Sequence, residues 1–270
     1  MKVIISHDVD HINVGEHWKD LYIPKYIIRS AIELIRHQIN IKVFVSRLSS
    51  VFEKRIHRIP ELCKFDLDNG VKATYFFGMA NVLGMSYKKE DALPWINYVK
   101  NKGFDVGVHG CDYLHQDKIT GEHDAFAKLT GDTEFGLRNH YVRYDDDTFN
   151  KMNKANYLFD STEFNKTSIE HKDPYRVGLM WEFPLTIMEG YVLHHNLNEA
   201  KEKVISVLCE TESKGGKYVT ILFHDLFYNA KCYPLEKEFY EWLIGYLESQ
   251  KIEFVSFKEA IKELENEGKY

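Results

Sequence analysis

The sequence offers no cysteine pair at metal-binding or redox spacing. Cys63, Cys111, Cys209 and Cys232 are scattered through 270 residues, which suits free thiols in a reducing compartment and excludes a disulfide framework. No apolar run is long enough to cross a bilayer. The start, Met1-Lys2-Val3-Ile4-Ile5-Ser6, lacks the apolar core and small-residue cleavage site of an export signal, so a cytoplasmic location is expected. Basic charge is not in excess: Lys and Arg number 35 against 41 Asp and Glu, a net charge of −6. Nucleic acid is therefore not the expected partner, although such an average can conceal one charged face. Internal repeats, low-complexity tracts and Pro/Gly/Ser linkers are missing too, so a single domain over 1–270 is expected.

What is present is ample core material, 44% hydrophobic and 14% aromatic. Short β-rich runs alternate with amphipathic stretches. Strands are expected at 3–6, 73–77, 105–108, 181–186, 219–223 and 253–256, with weaker ones near 141–143 and 159–161. Helices are expected at 24–37, 60–69, 93–102, 123–130, 147–156, 198–213, 236–250 and 258–267. Pro24, Pro60 and Pro94 stand near helix starts, and Gly70, Gly103 and Gly131 follow helix ends, in keeping with the asymmetry of helix caps. This alternation implies right-handed βαβ units and a mostly parallel sheet, and the length suits one α/β barrel. Residues 39–58 fit no unit and read as an insertion or a lengthened first crossover.

The polar residues fall where strands end. Ser6-His7-Asp8-Val9-Asp10-His11 follows the first apolar run, and a carboxylate buried there without a partner costs several kcal/mol. His109-Gly-Cys-Asp-Tyr-Leu-His115 follows the strand at 105–108. Arg138-Asn139-His140-Tyr141 borders another, and His224-Asp225 follows 219–223. In a parallel α/β array these ends share one rim, where active sites are built. Two imidazoles with one carboxylate make an open transition-metal site. An arginine fork can fix a carboxylate, and a histidine moves protons near neutrality. Taken singly, each stretch also reads as a solvated loop or a rim salt bridge.

The order Asp8-Val-Asp10, Ala73-Thr-Tyr-Phe-Phe, His109…His115, Gly136-Leu-Arg138-x-x-Tyr141, Asp160-Ser-Thr162 and Leu222-Phe-His224-Asp225 resembles the polysaccharide deacetylases, the family 4 carbohydrate esterases. The likeness spans nearly the whole chain and is greatest to the branch with a His-Gly-x-Asp-x-x-His second motif. The resemblance implies a distorted (β/α)7-type barrel and metal-dependent removal of an acetyl group from an acetamido sugar or glycan precursor. It implies Asp8 as general base, with Asp10, His109 and His115 as ligands of a divalent cation. Zn²⁺ is favoured over Co²⁺, Ni²⁺ or Mn²⁺. It further implies Arg138 as the group orienting Asp8, the backbone N–H near Tyr141 as an oxyanion donor and His224 as general acid.

Three departures accompany the likeness. Val9 separates aspartates that are usually adjacent. The third motif lacks its proline, with Asn139 and His140 in its place. The carboxylate behind His224 is unclear, with Glu189 and then Asp225 as candidates. His7, His11 and His140 are the alternative ligands. Trp18, Tyr113, Tyr141 and Trp181 are candidate sugar platforms. The expected substrate is a nucleotide- or lipid-linked sugar in surface-glycan biosynthesis. The competing readings are hydrolysis of another small amide and a glycan-binding protein without turnover.

Overall fold

The apolar run after Met1 becomes strand β1 (Lys2–Val9), buried along almost its whole length and placed mid-sheet. The computed structural model describes residues 1–18, 21–194 and 196–268. The remaining strands are β2 (Ala73–Gly78), β3 (Asp105–Gly110), β4 (Leu137–Asn139), β5 (Phe159–Asp160), β6 (Tyr175–Val177), β7 (Met180–Glu182), β8 (Leu185–Met188), β9 (Tyr218–Leu222) and β10 (Glu253–Phe254). The helices are α1 (Tyr22–Ile35), α2 (Ile41–Ser50), α3 (Ile59–Asp68), α4 (Lys89–Asn101), α5 (Gln116–Thr130), α6 (Thr148–Lys154), α7 (Glu189–Val192), α8 (Leu197–Ser213), α9 (Pro234–Ser249) and α10 (Phe257–Asn266). Sheet order is β6-β7-β5-β4-β3-β2-β1-β9-β8, with β10 beside the start of β1. Every pairing is parallel except β6 with β7.

Proline explains how the sheet closes. The strand expected at 181–186 is interrupted at Pro184, which has no N–H for a ladder. Its first arm, β7, pairs with β5; its second arm, β8, pairs with β9. The Phe183 N–H donates to the Asp160 carbonyl (2.8 Å) and the Leu185 N–H to the Glu163 carbonyl (2.7 Å). One bent strand thus bridges the two edges, and the ring runs β1, β2, β3, β4, β5, β7–β8, β9. This is a distorted (β/α)7-type barrel.

Strand alternation sorts β1 between two cores. Val3, Ile5 and Val9 face the outer helices, whereas Ile4 packs inside with Phe76, Phe159 and Phe183. Phe257 of α10 plugs this interior, stacked on Phe159 at 4.3 Å between ring centres. A capping box holds α10 there: Ser256 Oγ accepts the Glu259 N–H, and Glu259 Oε2 accepts the Ser256 N–H.

One expectation needs correction and another is decided. The stretch 141–143 is not a strand: β4 stops at Asn139 and His140–Val142 forms a tight helical turn. The stretch 39–58 is a lengthened crossover: it contains α2, capped by Asn40, whose Oδ1 accepts the Val43 N–H at 3.0 Å. The first crossover therefore carries three helices.

Candidate metal centre and active site

On β1 the alternation that sends Ile4 inward also sends Ser6 and Asp8 inward, and Asp10 follows just past the strand end. His7 points the other way. Its Nδ1 meets the Phe223 carbonyl (2.8 Å) and its Nε2 meets Asp66 (3.0 Å), which also accepts from the Tyr75 and Tyr240 hydroxyls. It is a satisfied core histidine.

Beneath the rim, Arg138 is fully buried. Its guanidinium donates to Ser6 Oγ (2.8 Å), Asp8 Oδ1 (3.1 Å), the Ser161 carbonyl (2.8 Å) and Ser161 Oγ (2.9 Å), and it lies over the Phe76 ring. A buried charge persists only when paired and hydrogen-bonded in this way, and removing one partner of such a pair costs about 3–5 kcal/mol.

Above this layer three ligand atoms converge. His109 Nε2 lies 3.1 Å from Asp10 Oδ1, His140 Nδ1 lies 3.2 Å from the same oxygen, and the two nitrogens are 3.1 Å apart. Register explains the meeting. His109 pairs with Arg138 across β3 and β4, and His140 follows Arg138 by two residues on the same face. The His109 Nδ1 is 2.9 Å from the Arg138 carbonyl and the His140 Nε2 is 3.3 Å from the Leu83 carbonyl. Carbonyls only accept, so in each neutral ring the proton sits outward and the lone pair faces Asp10, the tautomer a metal ligand needs. Donor separations near 3.1 Å suit a cation with bonds of about 2.1 Å, so the donor set fits a divalent ion. Burial opposes the Asp10 charge, but His140 and His109 outweigh it and hold this carboxyl well below its ordinary range. Burial likewise opposes charge on His109, yet Asp8 and Asp10 raise it.

His115 is not in this group. The Asp112 carboxylate accepts the His115 and Leu114 N–H groups (2.7 and 2.8 Å) and faces His115 Nδ1 at 3.0 Å. That turn starts α5 and leaves the imidazole 55% exposed. Where the resemblance implies His115, the structure brings His140 to Asp10 and His109 instead. His11 is buried against His17 at 3.1 Å, and burial lowers its pKa to about 3.

On the opposite side, His224 Nδ1 donates to Glu189 Oε1 at 2.6 Å and its Nε2 faces Asp10 Oδ2 at 3.7 Å. Burial disfavours a charge on this ring, but Glu189, Asp10 and Asp8 outweigh it and raise His224 to about 10. Glu189 follows β8 directly, which brings it beside the end of β9. Asp225 does not back His224; its Oδ2 accepts the Arg58 N–H at 2.8 Å.

Comparison with protein-family models and with curated proteins found no match. Solved structures do match. A Mycobacterium smegmatis protein assigned as a polysaccharide deacetylase superposes with a TM-score of 0.62 at 13% identity, covering 98% of this chain and 90% of that one. A Parabacteroides distasonis protein assigned as a glycoside hydrolase/deacetylase gives 0.55 at 9%, over 96% and 70%. A CE4 family pseudoenzyme from Bacillus anthracis gives 0.51 at 11%, over 96% and 64%. The chain has the polysaccharide-deacetylase fold.

In this deacetylase-fold chain the rim opens into a cleft of about 720 Å³, lined by Asp8, Asp10, His140, Tyr141, Glu189 and His224 among others. Tyr141 and Val142 both take left-handed backbone (φ 60° and 46°), a conformation that costs a non-glycine residue of order 1–3 kcal/mol. Lys166 Nζ donates to the Tyr141 carbonyl at 3.0 Å. Tyr141 is 51% exposed on the cleft, and Tyr113 lines a neighbouring one. Trp181 is buried inside the barrel and offers no platform; the Trp18 side chain lies outside the described residues.

Proposed function

We propose that the chain is a metal-dependent hydrolase removing an acetyl group from an acetamido sugar or glycan precursor in surface-glycan biosynthesis. The observation carrying this reading is the convergence of Asp10, His109 and His140 beside the arginine-held Asp8 and the glutamate-backed His224. Asp10, His109 and His140 would hold a divalent ion, most simply Zn²⁺, with Co²⁺, Ni²⁺ or Mn²⁺ able to use the same donors. Such an ion, when bound, polarises a carbonyl and makes water more acidic.

The chain's own groups divide the remaining work. Arg138 holds Asp8 by Oδ1, facing the cleft, where its other oxygen takes a proton from the attacking water. The backbone N–H at Tyr141 stabilises the developing oxyanion, a contribution of about 3 kcal/mol. His224, protonated across neutrality through Glu189, hands its proton to the departing nitrogen. Base and acid stand on opposite sides of Asp10, so neither must serve twice.

One of the similar folds belongs to a pseudoenzyme, which makes a glycan-binding protein without turnover the second reading. The intact Asp8–Arg138 and His224–Glu189 pairs favour turnover. Acetate release from N-acetylated sugars by zinc-loaded protein separates the two. Asp8→Asn is expected to lower kcat by roughly 10²–10⁴-fold with metal content unchanged. Sugar binding without acetate release, indifferent to Asp8→Asn, would favour the binding protein.

A further inference from the structure

Helices α1 and α2 bury polar Ser30, Glu33 and Arg47 while leaving several of their large apolar residues outward. The buried residues are Ile23, Ser30 and Glu33 on α1, and Val43 and Arg47 on α2. Glu33 and Arg47 meet in a buried ion pair at 2.5 Å. Ile28, Ile32 and Ile35, spaced i, i+4, i+7, form a stripe 43–75% exposed. Ile41 and Val45 repeat the pattern on α2, and Phe52 just beyond it is 85% exposed. Among the described residues, half of the strongly exposed large apolar side chains lie between 21 and 52, so the pattern is a clustered face.

Charge points to what covers it. Residues 21–58 hold eight lysines and arginines against only Glu33 and Glu53, a net +6 in a chain whose total is −6. Lys25, Arg36, Lys42 and Lys54 are all exposed. An apolar stripe flanked by basic side chains is what a helix lying in a bilayer interface requires: isoleucines enter the headgroup–acyl boundary and cations meet anionic headgroups. A second copy is a poor fit, since a two-fold contact would set the exposed Lys25, Arg36, Lys42 and Lys54 of one copy against those of another. No described helix is long and apolar enough to cross a membrane, so this face would lie on one. Tyr22, Lys25, Tyr26 and Arg29 of α1 also wall the cleft.

We propose that the α1–α2 hairpin docks on an anionic lipid surface and sets the mouth of the cleft at the plane of the headgroups. The docking stands on the surface alone, independent of the hydrolase reading.

Sedimentation with lipid vesicles tests it. The full chain is expected to bind vesicles of phosphatidylcholine plus phosphatidylglycerol roughly tenfold or more tightly than phosphatidylcholine alone, and less tightly as salt rises. Ile35→Asp combined with Phe52→Asp should lower binding by roughly tenfold or more. Arg36→Glu with Lys42→Glu should abolish the preference for anionic lipid. Circular dichroism and bound zinc, unchanged in both variants, establish that the fold survives. Wild type that stays in the supernatant with either vesicle, or variants that bind like wild type, would overturn the proposal. So would concentration-dependent dimerisation, without vesicle binding, that Ile35→Asp with Phe52→Asp removes. Acetate release from a soluble sugar is unaffected in any of these cases, so failure here is distinct from failure of the hydrolase reading.

Discussion

His140 and His115 are two candidate ligands that their immediate surroundings tell apart. His140 has its lone pair set by a backbone carbonyl and points at Asp10; His115 is held to Asp112 and half in water. His140→Ala is therefore expected to abolish stoichiometric zinc in protein purified with the metal, while His115→Ala retains it, by elemental analysis. Asp225 gives a pH test. Burial pushes its carboxyl up to about 7, so the native state holds a proton there that the unfolded chain releases near 3.8. Stability from this group is complete below pH 3.8 and is lost as pH rises through 7. Asp225→Asn keeps an acceptor for the Arg58 N–H and should gain about 1–3 kcal/mol at pH 8 and progressively less toward pH 4, read from urea unfolding at several pH values.

Elements decide how far these side chains can be trusted to stay. β1 presents Ser6 and Asp8 on one face because a strand repeats every two residues, and Asp10 continues that spacing just past its end, which is why Val9 can separate two aspartates without dispersing them. The turn after β4 depends on two left-handed residues, and no glycine marks it, so sequence reasoning read a strand there. The expected strand at 181–186 was legible as apolar sequence, but its division between two edges was not, since Pro184 shows only that a ladder stops. At the other end of the barrel, α10 closes the interior. Phe257→Ala should cost about 3–5 kcal/mol through the cavity it leaves, and Ser256→Ala about 1 kcal/mol through the lost cap, both measurable by thermal unfolding.

For the whole molecule, the rim joins residues from four strand ends, β1, β3, β4 and β9, with Glu189 from the end of β8. A cation bound to native residues but not to the unfolded chain stabilises the fold by mass action. Chelator treatment is expected to lower Tm, and added zinc to restore it by about 3–4 kcal/mol of stability at a thousandfold excess over Kd. His140→Ala should make Tm insensitive to both.

Hydrophobic periodicity by itself determined the alternating α/β order and the mostly parallel sheet, because period-2 and period-3.6 patterns are local. It also set which strand ends carry Asp8, Asp10, His109, Arg138 and His224, since polar residues at those positions need no distant information. Only the tertiary structure decided that His140 rather than His115 meets Asp10, that Glu189 rather than Asp225 stands behind His224, and that Ile28, Ile32, Ile35 and Ile41 face outward. Those choices depend on which backbone carbonyls, turns and neighbouring strands lie within about 3 Å of a side chain. Separations along the chain of 30 to more than 200 residues leave no local trace of that proximity.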